Sequence, residues 1–137
     1  MYYWGGANFF APLAAAIHLG FLPLNVKNQA EFRLISNNCT HFIARCWQQN
    51  VGSLIYCGRG KKNEDVYILA VGKKPALILK TLTAMVTLLG EDLLNYRFVN
   101  CEEHIHKREG KKGIRFRSGL SKYNSIGEMV ATVHKGL

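Results

Sequence analysis

The sequence predicts an α/β fold: a single domain over residues 1–137 whose mixed or largely parallel sheet is flanked by helices. Three observations carry that reading. Strand-type and helix-type segments alternate along the chain, the order from which layered α/β sheets are built. The middle run Val66-Tyr67-Ile68-Leu69-Ala70-Val71 is apolar throughout, as suits a strand in a buried sheet interior. A chain of 137 residues, 48% hydrophobic and 20% charged, also suits one self-sufficient core. The same composition excludes a disordered chain, a collagen-like repeat and a disulfide-dense miniprotein.

The elements follow in order. Met1-Tyr2-Tyr3-Trp4 has the aromatic bias of a short strand, and Gly5-Gly6 frees the backbone to turn sharply. Asn8 is a candidate helix cap, and Pro12 is tolerated in a first helical turn because its missing N–H would be unpaired there. The helix runs through Leu13 to Leu19 and stops at Gly20. From Asn28 to Asn50 the pattern is helical: Phe32, Leu34 and Ile35 form one apolar group. Thr40 can cap a second helix whose Phe42, Ile43, Cys46 and Trp47 share a face. Ser53–Cys57 and Val66–Val71 read as strands joined by the polar hairpin loop Gly58–Asp65. A helix opens at Pro75, carries an apolar stripe of Leu77, Ile78, Leu82, Met85, Val86 and Leu89, and ends at Gly90. Tyr96–Val99 reads as a further strand. Between Glu102 and Leu120, Ile114–Arg117 alternates like an edge strand and Gly110–Gly113 can turn a hairpin. Asn124 or Ser125 would cap a last helix through Ile126, Met129, Val130 and Val133, which Gly127 weakens.

Eighteen Lys and Arg against nine Asp and Glu give a net charge of +9, which points to anionic partners. The apolar stretch Phe9–Leu24 has no basic residue before it and is interrupted by Pro12, His18, Gly20 and Pro23, so neither a secretory signal nor a membrane span is expected. Cys39, Cys46, Cys57 and Cys101 lack the density and spacing of a disulfide framework. A soluble, cytoplasmic protein with reduced thiols follows.

The first candidate site is the loop Gly5-Gly6-Ala7-Asn8. Unpaired N–H groups and the positive end of a helix dipole suit phosphate there, although a plain tight turn explains the same residues. It is not a nucleoside-triphosphate loop, since no Gly-Lys-Ser/Thr follows at the required spacing. Together with Ala14-Ala15-Ala16-Ile17-His18-Leu19-Gly20-Phe21-Leu22-Pro23, this loop resembles a family of small bacterial proteins of unknown function. Gly52–Gly58, Val66–Leu69 and Leu88-Leu89-Gly90-Glu91-Asp92 are similar to it as well. The resemblance covers roughly the first two thirds of the chain and implies the α/β fold, with no assigned reaction. The family's loop reads Gly-Gly-x-His-Ser-Ser, so its histidine corresponds to Asn8 and its serines to Phe9 and Phe10. The C-terminal third lacks the family's Gly-Gly-Phe-Leu-Ser pattern.

The second candidate is the basic segment 102–123, where Lys107, Arg108, Lys111, Lys112, Arg115, Arg117 and Lys122 crowd together with Phe116 and Tyr123. Cations interleaved with aromatics suit nucleic acid, and a solvated basic loop is the plainer reading. Arg59-Gly60-Lys61-Lys62 joins two strands and reads as a hairpin turn that adds positive charge. Cys101, Glu102, Glu103, His104 and His106, with Cys39 and His41 elsewhere, hold possible zinc ligands in a spacing that matches no common finger, so no metal is expected. His18, inside an apolar helix, reads as a satisfied core histidine before a base, and Cys57 as a structural thiol. No acid, base and nucleophile belong together by spacing.

The function expected is binding of a phosphate-bearing, nucleotide-like small ligand at Gly5, Gly6, Ala7 and Asn8, with Arg59 and Lys61 neutralising it. The alternatives are nucleic-acid binding through residues 107–122 and a hydrolase or transferase of unnamed catalytic residues. The expected partners are an anionic small molecule or nucleotide, with nucleic acid as the rival; no cofactor and no membrane are expected.

Overall fold

The computed structural model describes residues 1–5, 10–38, 51–105 and 119–137. The chain forms β1 (Tyr2–Trp4), α1 (Phe10–His18), α2 (Gln29–Asn38), β2 (Leu54–Arg59), β3 (Asp65–Ala70) and α3 (Pro75–Leu88). A 3-10 turn (Leu93–Asn95), β4 (Val99–Asn100) and α4 (Gly119–Lys135) follow. The strands make one open mixed sheet in the order β2-β3-β1-β4. β1 lies parallel to β3 (Tyr2 beside Ile68) and to β4 (Tyr2 beside Val99), while β2 runs antiparallel to β3. The expected α/β architecture is therefore the observed one.

Strand pleating puts Tyr2 and Trp4 on one face of β1, where both are buried, and leaves Tyr3 half-buried on the other. α1 packs on the first face against β1, β3 and α4. Its residues from Ala11 to His18 are all buried, which is why a helix apolar nearly all round is stable here. It ends as expected: Gly20 adopts φ +80° while its N–H bonds Ile17 O and the Phe21 N–H bonds Ala16 O, a Schellman closure. Tyr123, Ile126, Met129, Val130 and Val133 of α4 complete the core with Val66 and Ile68 of β3.

The last helix begins earlier than the cap chemistry suggests, at Gly119, so Asn124 and Ser125 lie inside it. Their polarity serves tertiary contact: Asn124 accepts the Val26 N–H (2.9 Å) and donates to Val26 O (3.1 Å), and the Tyr123 hydroxyl donates to Pro23 O. Gly127 allows this crossing, because a Cβ there would stand 1.8 Å from Leu24 O.

The strand expected over Tyr96–Val99 shrinks to Val99–Asn100. Asp92 competes for the backbone by accepting the Leu94 N–H, which starts the 3-10 turn, and Tyr96 N–H bonds back to Leu93 O. α3 opens at Pro75 as expected, yet none of its residues is buried despite the apolar stripe. The helix expected around Phe42–Trp47 and the strand expected at Ile114–Arg117 lie outside the described residues. Among the described residues no helix is long and apolar enough to cross a membrane.

Candidate functional site

α1 returns antiparallel to β1 and so carries its last residue, His18, back to the first residue of that strand. The imidazole side chain is 4% exposed, and both of its nitrogens have partners. Nδ1 lies 2.7 Å from the Tyr2 hydroxyl and Nε2 lies 2.7 Å from Glu64 Oε1. Glu64 belongs to the β2–β3 hairpin immediately before β3, and its other oxygen accepts the Lys62 N–H at 2.8 Å. The absence of a side chain at Gly60 makes room for this, since a Cβ there would stand 2.0 Å from Glu64 Oε1. His134, in the last turn of α4, meets the His18 ring edge-on with centroids 4.4 Å apart.

The protonation pattern follows from the surroundings. Burial lowers the His18 pKa below its ordinary 6.5; the Glu64 hydrogen bond opposes this and the nearby His134 adds to it. Burial pushes the Tyr2 phenol well above its ordinary 10.0. For Glu64, burial works to raise the pKa, but the hydrogen bonds from His18 and the backbone outweigh it and hold the carboxyl below 4.5. At neutral pH Tyr2 therefore donates to Nδ1 of a neutral imidazole, whose Nε2–H donates to the Glu64 carboxylate. Three residues distant in sequence, Tyr2, His18 and Glu64, form one hydrogen-bonded chain at the N-terminal ends of β1 and β3, with the His134 ring against His18.

This chain separates two hollows. One, about 550 Å³, is lined by His18, Glu64, His134, Lys61, Lys62 and Lys135. The other, about 360 Å³, is lined by Tyr2, His18, Glu64, Arg97 and a mixture of polar and apolar neighbours, Asp65 and Val99 among them. Lys62 Nζ also donates to His134 O (2.7 Å), which ties the hairpin to the end of α4. Among the described residues, His18, Glu64 and His134 are the group whose potential metal-ligand atoms converge, all within 4.8 Å of one another.

The residues singled out in the sequence are distributed differently. Gly5 sits at the opposite, C-terminal end of β1, beside Gly72, Asn100, Glu102 and the start of α3. Gly6, Ala7 and Asn8 lie outside the described residues. Lys61 lines the larger hollow, whereas Arg59 points along the sheet edge and pairs with Asp65 (2.9 Å). The structure thus does not bring Gly5 and Lys61 to one place. Of the basic segment, Lys122 is described, half-buried on α4; Lys107, Arg108, Lys111, Lys112, Arg115 and Arg117 lie outside the described residues. Cys57 and Cys101 carry thiols rather than a disulfide, and burial raises the Cys101 pKa far above its ordinary 9.0. His18 is the satisfied histidine expected, but its partners are ionisable and face a hollow. Tyr2, Glu64 and His134 escaped sequence reasoning, because positions 2, 18, 64 and 134 share no spacing; a polar residue inside an otherwise apolar helix was the one available signal.

No curated protein and no solved structure matches this chain at a significant level. One family model, described as a protein of unknown function (DUF3189), matches residues 1–133. That match spans β1 through nearly all of α4, and the chain belongs to that family.

Proposed function

We propose that the protein binds a phosphate-bearing small ligand in the hollow between the β2–β3 hairpin and the end of α4. The observation that carries this reading is the convergence of Lys61, Lys62 and Lys135 around one concave space of about 550 Å³, with His134 at its wall. That volume falls within the range of small-molecule sites, roughly 300–1,000 Å³. Ammonium groups supply point charges for phosphate oxygens. Ile17, Leu22 and Leu24 give the hollow an apolar side against which a nucleoside or similar body packs. The net charge of +9 favours the approach of any anion.

The test is calorimetric titration of the full chain with nucleoside mono-, di- and triphosphates, the parent nucleosides and inorganic phosphate. Binding that requires the phosphate, weakens with added salt and falls at least about tenfold in the Lys61→Ala, Lys135→Ala double variant supports the reading. Equal affinity for phosphorylated and unphosphorylated forms, or an unaffected double variant, overturns it. Loss of binding in Gly6→Val with the lysine variant intact would instead place the ligand at the loop after β1.

A further inference from the structure

We propose that His18 Nε2, a Glu64 carboxylate oxygen and an imidazole nitrogen of His134 bind one divalent transition-metal ion at the floor of the larger hollow. The three ligand atoms already lie within 4.8 Å of one another. Metal–ligand bonds of about 2.0–2.2 Å set ligands of one zinc about 3–4 Å apart, so the His18–Glu64 pair, hydrogen-bonded at 2.7 Å, opens slightly as the proton between them leaves, and His134 closes toward it. Two imidazoles and one carboxylate suit zinc, cobalt or iron; magnesium and calcium require more oxygen donors.

The surroundings supply what such a site needs. Glu64 is already a carboxylate, and the Lys62 N–H holds Oε2, leaving Oε1 for the ion. His18 changes tautomer when it ligates: Nε2 releases its proton to solvent, Nδ1 takes one up, and the imidazole stays neutral. The Tyr2 hydroxyl, 2.7 Å from Nδ1, serves either tautomer because a phenol both donates and accepts. An oxygen on the far nitrogen is the usual means of fixing the orientation of a ligating histidine. Three protein ligands leave the ion open toward the hollow, the arrangement of a site that takes water or an exogenous ligand. The ion's double charge exceeds the single charge of Glu64, so the loaded site is cationic and adds to the three lysines. This inference does not depend on the phosphate-binding reading, and its test uses metal alone.

The full chain, stripped with a chelator, is titrated with Zn²⁺ and with Co²⁺ in phosphate-free buffer, followed by calorimetry and by the visible absorption of cobalt. The expected result is one ion per chain with a four- or five-coordinate cobalt spectrum. His134→Ala and Glu64→Gln, each confirmed as folded by circular dichroism, should weaken binding by at least about tenfold. Cys57→Ser should bind as the parent does. His134→Ala keeps the test decisive, because a half-buried residue in the last helical turn is removed without opening the core. Failure of the folded parent to take up either ion overturns the proposal. So does uptake that survives both ligand variants, or uptake that Cys57→Ser abolishes.

Discussion

Replacing Gly127 with alanine separates local propensity from packing, because the two predict opposite signs. Gly127 lies in the interior of α4, where glycine is less favourable than alanine by about 1 kcal/mol, so propensity alone predicts a more stable protein. The structure predicts the reverse. A Cβ at this position would stand 1.8 Å from Leu24 O and 2.9 Å from Leu24 C, closer than side-chain carbons approach backbone atoms. The obstacle is not a flexible side-chain tip. The Pro23–Val26 segment is held on α4 by the Tyr123 hydroxyl and by both Asn124 bonds to Val26, so it does not swing away without breaking them. Overpacking of this kind typically costs about 1–3 kcal/mol, which exceeds the propensity gain at its upper end and adds lost hydrogen bonds if the segment shifts. Net of the propensity gain this leaves about 0–2 kcal/mol, and one hydrogen bond of the segment lost adds about 1 kcal/mol. With roughly 4 °C of melting temperature per kcal/mol for a chain of this size, Gly127→Ala should melt about 4–12 °C below the parent. Thermal and urea unfolding followed by circular dichroism measure this. A variant that melts at or above the parent would refute the close crossing of the Leu24 backbone over α4.

Three further outcomes follow from named contacts. Asn124→Ala removes both bonds to the buried Val26 backbone and should cost about 2–4 kcal/mol in urea unfolding, whereas Asn124→Asp keeps the acceptor and should cost less. Folding holds His18 below its ordinary 6.5, so the unfolded chain binds the extra proton and stability should fall as pH drops through that value. Glu64, held below 4.5, contributes stability that is present above 4.5 and is lost as pH falls further, so urea midpoints of the parent should decline in both ranges and those of His18→Gln should lose the upper decline. Gly60→Ala pushes the Glu64 carboxylate off His18; the displaced atoms end a flexible side chain, so the cost is that of the lost His18 hydrogen bond, about 1–3 kcal/mol. Imidazole NMR titration should then find the His18 pKa lower still, because the hydrogen bond that raises it is gone. An unchanged titration would mean that Glu64 does not govern His18.

Much of the architecture is legible in the amino-acid order, because it rests on local rules. Aromatic and β-branched runs mark β1, β2 and β3; the alanine-rich segment closed by Gly20 marks α1; Pro75 and Gly90 bracket α3. These signals lie within a turn or two of the residues they organise. The family resemblance, carried by the same N-terminal segment, points the same way and is matched over residues 1–133. Where a polar side chain has both a local and a distant use, order alone misleads. Asn124 and Ser125 look like caps but lie within α4, with Asn124 holding the backbone of Val26, and Gly127 looks like a weak point but makes room for Leu24.

The candidate site depended on tertiary structure almost entirely. Its members come from the start of β1, the end of α1, the β2–β3 hairpin and the end of α4, and only the return of α1 along the parallel sheet brings them together. Positive charge was visible from composition, but which lysines share a hollow was not, since Lys61 and Lys135 meet through the packing of the hairpin against α4. By itself the sequence determined the fold class, its principal helices and strands and the net positive charge, because each is a sum over local residues. The tertiary structure alone decided that His18 is a neutral imidazole between Tyr2 and Glu64, with His134 against its edge. Burial and hydrogen bonding set that state, and both are properties of neighbours the chain supplies from up to 116 positions away.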